Sequence, residues 1–144
     1  MKITLKNEIL ILNFEGKKDK MNEVLDPLSN TYEGVLTKRE GHNFPAEYIP
    51  SSGHCLSSYK SRCKYVIGLY NMRSLRHELQ HAKYYLDANY RSQVQQEWIA
   101  LDPKIQDHIT KFLTRLGYSQ KVLVDEYQAY RATEPRNFFG VLLT

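Results

Sequence analysis

The sequence predicts an α+β chain, a small β-sheet followed by helices. Three observations carry this expectation. Short apolar runs broken by charges fill the opening residues, turn-forming residues crowd the stretch after them, and long segments with apolar residues at helical spacing begin only at Met72. At 144 residues and 42% hydrophobic content, residues 1–144 are expected to form one domain whose core needs no disulfide or structural metal.

Ile3–Leu5 and Ile9–Phe14, separated by Lys6-Asn7-Glu8, predict a hairpin or a bent strand pair, and the polar run Glu15 to Lys20 predicts a turn after it. From Met21 to Ser61 the chain carries Asp26-Pro27, Asn30, Gly34, Gly41, Pro45 and Pro50-Ser51-Ser52-Gly53. Only Tyr32–Leu36 has a strand-like bias, so this stretch is expected to be mostly loop with short strands. Val66–Tyr70 reads as a buried strand. Asn71 is a good N-cap, and Met72–Leu86 contains no Gly or Pro to interrupt a helix of about four turns. Ser92–Leu101 predicts a second helix around Val94, Trp98 and Leu101. Asp102-Pro103 supplies a cap and a first-turn proline for a third, whose apolar positions Ile105, Ile109, Phe112, Leu113 and Leu116 run to a stop at Gly117. Ser119 is expected to cap a last helix ending near Thr133.

Composition narrows the function. The net charge of +4 is spread over scattered lysines and arginines, so a nucleic-acid partner is not expected. The opening residues interrupt their apolar positions with charges, and the aliphatic run Ile9–Leu12 is too short for a signal-peptide core or a membrane span. A cytoplasmic protein without a membrane partner is the expectation. Cys55 and Cys63 lack CxxC spacing and fit free thiols better than a disulfide framework, with Cys55 expected to be partly buried.

The one stretch that names a chemistry is His77-Glu78-Leu79-Gln80-His81. Residues four apart on a helix lie only about 40° apart around its axis, so both imidazoles address one spot, and that spot fits Zn2+. Glu78 sits beside the metal, where a carboxylate can take a proton from a water the metal has acidified, the apparatus for hydrolysing an amide.

A catalytic zinc site usually has three protein ligands and one open position. Glu126 is the candidate third: on the last helix it shares a face with Val122, Ala129, Tyr130 and Thr133, and a carboxylate within a packing face calls for a partner. Asp87 stands where a third ligand would fall on a broken helix, but Tyr84 occupies the position of the breaking glycine. Glu97 and His108 fit surface or core-edge positions. For the other ring nitrogens of the histidines, Asp125 and Tyr130 are the candidate partners. Tyr130 is also the candidate oxyanion donor, with Tyr127 and Arg131 as alternatives, while Tyr84 and Tyr85 are expected to pack under the site.

With these residues the chain resembles the gluzincin zinc metallopeptidases, which carry His-Glu-x-x-His on one helix and a glutamate on a later one. At this length it is similar to the minigluzincins. The resemblance covers His77 to Thr133 and implies a minimal zincin-like fold: an N-terminal small sheet, the active-site helix, then C-terminal helices. It implies His77, His81 and Glu126 as zinc ligands, and Glu78 as a base that later protonates the leaving amine of a peptide or protein substrate. Val66–Tyr70 would be the edge strand that takes an extended substrate. Two alternatives stand beside it. One is a catalytically inactive zincin-fold protein that binds a partner. The other is an amidase, since Gly53-His54-Cys55-Leu56-Ser57 resembles the Glu-Gly-Cys-Leu-Ser segment of peptide deformylases, with Cys55 as ligand. A purely structural zinc would want a fourth ligand, and no obvious one is present.

Overall fold

The structure, a computed structural model, describes residues 1–36 and 38–143. It is α+β, a four-stranded mixed sheet and five α-helices. β1 (Lys2–Lys6) and β2 (Ile9–Asn13) pair antiparallel around Asn7 and Glu8, both at positive φ (52° and 68°), the backbone that a two-residue hairpin turn requires. β3 (Gly41–Pro45) and β4 (Tyr65–Leu69) complete the sheet in the order β1-β2-β4-β3, with β4 parallel to β2 and antiparallel to β3. β4 is therefore an interior strand. The edge beside the helices is β3, not the Val66–Tyr70 segment that the resemblance implied.

The largest departure from expectation lies within the stretch read as loop. Residues Lys18–Glu33 form a continuous helix, α1; of the segment Tyr32–Leu36 read as strand-like, Tyr32 and Glu33 end the helix and residues 34–36 form no strand. Met21, Leu25 and Leu28 project into the core against Leu10, Leu12, Phe44 and Val66. Burying three such side chains stabilises the fold by about 1.5–3 kcal/mol each, which outweighs the roughly 3 kcal/mol that a helix-interior proline costs. Pro27 lies on the exposed side of α1.

The opposite face of the sheet, Tyr65, Ile67 and Leu69 with Ile9 and Ile11, packs on Ala82 and Leu75 of α2 (Leu75–Leu86). Asn71 does cap, its side chain accepting from the Arg73 N–H, but it caps a short 3-10 turn, Met72–Ser74, that leads into α2. α3 (Ala88–Ala100) starts earlier than expected because the Asp87 side chain caps it through the Tyr90 N–H. α4 (Pro103–Arg115) begins as read, with Asp102 accepting from the Lys104 N–H. α5 (Leu123–Thr133) follows a 3-10 turn, Gln120–Val122. Ser119 does not cap it; its hydroxyl donates to the Tyr32 carbonyl at the end of α1. A second core, Ile109, Leu113, Leu123, Tyr127 and Phe139, joins α4, α5 and the C-terminal residues.

Two contacts fix the sheet half against the helices. Arg39, buried, donates to Glu33 Oε1 (2.9 Å), Asn30 Oδ1 (2.9 Å) and the Gly34 carbonyl (3.1 Å), and so ties the segment before β3 to the end of α1. Gly34 and Gly117, at φ 104° and 102°, cross so closely that a Cβ on Gly34 would collide with the Gly117 carbonyl, and one on Gly117 with that of Val35. The Ser119 N–H donates to the Glu33 carbonyl at 2.7 Å beside this crossing. Cys55 is exposed and Cys63 buried, both free thiols, so Cys55 is more open than expected and no bridge joins them. Among the described residues no helix is long and apolar enough to cross a membrane.

Candidate metal centre

α2 and α5 pack across each other and bring three donors together: His77, His81 and Glu126 offer ligand atoms that all lie within 4.8 Å of one another. His77 Nε2 and His81 Nε2 are 3.2 Å apart, Glu126 Oε2 is 3.3 Å from His81 Nε2, and Glu126 Oε1 is 3.7 Å from His77 Nε2. Tetrahedral coordination at ordinary zinc–nitrogen and zinc–oxygen distances separates neighbouring ligand atoms by about 3.3 Å. The triangle has that size.

The ring orientations follow from the nitrogens pointing the other way. His81 Nδ1 lies 2.8 Å from Asp125 Oδ1, and Asp125 is itself held by the Gln128 amide at 2.9 Å. His77 Nδ1 lies 3.2 Å from the Thr133 hydroxyl, which donates its own proton to the Ala129 carbonyl at 2.7 Å and can only accept from the imidazole. Both histidines thus keep a proton on Nδ1 and turn Nε2 toward the same point. Asp125 fills the role read from the sequence. For His77 that role falls to Thr133 rather than Tyr130.

Glu126 is 1% exposed, and neither carboxylate oxygen has a hydrogen-bond partner. Burial opposes its charge, but His81 and His77 hold it ionised, its pKa lowered to about 2. A buried carboxylate with two orphaned oxygens beside two inward-facing imidazole nitrogens is a donor set that a divalent cation would satisfy. For His81, burial opposes the cationic form, but Asp125 and Glu126 outweigh it and raise its pKa, so a cation held by Nε2 would displace a proton.

Glu78 lines, with this triangle, a cavity of about 410 Å³. Its pKa is raised by burial, with His81 and His77 opposing, and Oε2 has no partner. The edge strand leaves it room only because residue 41 is glycine: a Cβ there would stand 2.9 Å from Glu78 Oε1. Tyr130 lines the same cavity, its ring centroid 4.5 Å from that of His77 and its hydroxyl 2.9 Å from the Tyr118 hydroxyl. Burial and the charge of Glu126 raise the Tyr130 pKa, so it remains a neutral donor.

The rivals lie elsewhere. Asp87 is exposed and caps α3, and Cys55 is exposed beside His54. Glu97 accepts from the Tyr127 hydroxyl and pairs with Arg131 (2.9 Å), which keeps both Tyr127 and Arg131 out of the cavity and away from any oxyanion formed there. His108 bonds the Phe139 carbonyl. Tyr85 packs on Tyr65, their ring centroids 5.1 Å apart. Sequence reasoning misses Thr133, Gly41, Tyr118, Asn43 and Glu33 as site residues. Only Thr133 carries a signal, its position on the Glu126 face of α5; the others arrive through long-range pairing. Comparison with protein-family models, curated proteins and solved structures finds no match to this chain.

Proposed function

We propose that this protein is a zinc-dependent peptidase with a gluzincin-type site on a minimal zincin-like fold. The observation that carries the proposal is the His77–His81–Glu126 triangle with Glu78 beside it in one cavity. Zinc held there by the three side chains would supply Lewis-acid chemistry, acidifying a water and polarising the substrate carbonyl.

The chain's own residues carry the remaining work. Glu78, its basicity raised by burial, takes a proton from the attacking water and later delivers it to the leaving amine. Asp125 and Thr133 hold the two imidazoles in the one tautomer that leaves Nε2 free. Tyr130, with its hydroxyl tied to Tyr118, lines the cavity as a neutral donor suited to the negative oxygen of the tetrahedral intermediate.

Two measurements test this. The zinc content of the purified protein should be about one per chain and should fall in His77→Ala and His81→Ala. Hydrolysis of a mixed peptide library should be lost in Glu78→Gln, which keeps the metal. Zinc bound normally but no peptide cleaved by the wild type would remove the enzymatic part of the proposal and leave a metal-binding protein.

A further inference from the structure

Among the described residues, the outer edge of β3 keeps outward carbonyls but is poor in free N–H donors. His42, Phe44 and Ala46 turn their backbone groups toward β4 and the segment before it, and so Gly41, Asn43 and Pro45 present theirs outward. Proline has no N–H. That of Asn43 is already given to Glu33 Oε1, at 3.4 Å. One outward N–H remains, at Gly41, immediately beside Glu78. An extended chain laid along this edge finds a single donor at the catalytic end and then meets the carboxyl group of Glu33.

That carboxyl is 2% exposed and lines the cavity. Both of its hydrogen bonds among the described residues, from Arg39 and from Asn43, use Oε1, which leaves Oε2 to the cavity. Glu33 is not one of the three clustered donors. Its counter-charge is shared, because the Arg39 guanidinium also pairs with Asp26 at 3.3 Å. The cavity wall carries Lys38 and Arg73 against five glutamates, so negative charge is in excess there. Burial and the charge of Glu126 raise the Glu33 pKa, with Arg39 opposing, so a cation bound at Oε2 would hold the carboxyl ionised.

We propose that Glu33 is a specificity-determining residue that binds a primary ammonium group of the substrate, and that the site therefore takes the amino end of a chain in preference to its middle. This rests on the peptidase proposal above and adds the substrate class to it. An α-ammonium carries three donors and one charge, matching the open Oε2 where the edge's N–H donors run out. A lysine side chain offers the same group from another source.

The test is binding rather than turnover. Zinc-loaded Glu78→Gln protein is titrated calorimetrically with tri-alanine, with N-acetyl-tri-alanine, and with an N-acetyl tripeptide containing one lysine. The free amine should bind about 10-fold to 100-fold more tightly than its acetylated twin, the range of one charge-assisted hydrogen bond, and adding Glu33→Gln should erase that difference. Tight binding restored by the lysine in the acetylated peptide would assign the ammonium to a side chain. Equal affinity for free and acetylated tri-alanine in the protein that keeps Glu33, or no binding of any of the three, overturns the proposal without any need for the Glu33 variant to fold. Because no catalysis is read, a preference for the free amine together with a wild type that cleaves nothing would reject the peptidase while keeping the ammonium site.

Discussion

Thr133 receives the Nδ1 proton of His77 because its own proton is committed to the Ala129 carbonyl one turn back on α5. A side chain on the helix that supplies Glu126 thereby sets the tautomer of a histidine on α2. The two helices divide the site between them. α2 brings the imidazoles and Glu78, and α5 brings the Glu126 carboxylate and both groups, Asp125 and Thr133, that orient the rings.

Thr133→Val should therefore weaken zinc binding about 10-fold to 100-fold while leaving the circular dichroism spectrum unchanged, since the methyl group keeps the shape and loses the acceptor. Competition with a chelator of known affinity reads the effect. An unchanged zinc affinity would mean that the 3.2 Å contact does not orient His77.

Metal should stabilise the fold. At zinc 100-fold above its dissociation constant the gain is about 2.7 kcal/mol, or roughly 5–10 °C in Tm for a chain of this size. Calorimetry before and after a strong chelator gives the shift. Glu126→Ala should show almost none of it, while Asp87→Ala and Glu97→Ala keep it.

Gly41→Ala should leave zinc content intact and lower hydrolysis, because the new Cβ lies 2.9 Å from Glu78 Oε1 and the carboxylate must swing aside. A misplaced general base costs on the order of 10²-fold in rate. Turnover like that of the wild type on the same peptides would show that Glu78 has slack.

His42 supplies a pH dependence of stability. It is fully buried on β3, with the Ser29 hydroxyl 2.7 Å from Nδ1 and Asn22 Oδ1 2.9 Å from Nε2, a pair that suits the neutral ring. Burial, helped by the Arg39 charge, lowers its pKa from 6.5 to about 2, although Asp26 lies 3.8 Å away. Between those values the unfolded chain binds the extra proton. The stabilisation is thus complete above about pH 6.5 and declines as pH falls toward 2, at up to about 1.4 kcal/mol per pH unit. Urea midpoints at pH 7 and pH 5 should differ in the wild type by more than in His42→Gln.

What the sequence makes legible is local. The Asn7-Glu8 turn, the Asp102-Pro103 start of α4, the His77–His81 spacing and the position of Glu126 on its helix face each follow from neighbours within a few residues. α1 escapes such a reading although Met21, Leu25, Leu28 and Tyr32 keep helical spacing, because Asp26-Pro27 has the form of a break. Its proline is tolerated because that side faces outward, which only the packed fold decides. The edge position of β3 is beyond reach for another reason. Strand order depends on β4 inserting beside β2, a pairing across more than fifty residues that no local pattern in Gly41–Pro45 announces.

The crossing of Gly34 and Gly117 has a consequence for the cavity beyond the packing it permits. Each glycine is followed or preceded by a residue of an opposing wall, Glu33 on one side and Tyr118 on the other. Backbone touches backbone there, with no side chain between to be enlarged or trimmed. At this corner the spacing of Glu33 and Tyr118 is set by main-chain atoms, so a change in what the cleft admits there has to come from exchanging the side chains that project into it.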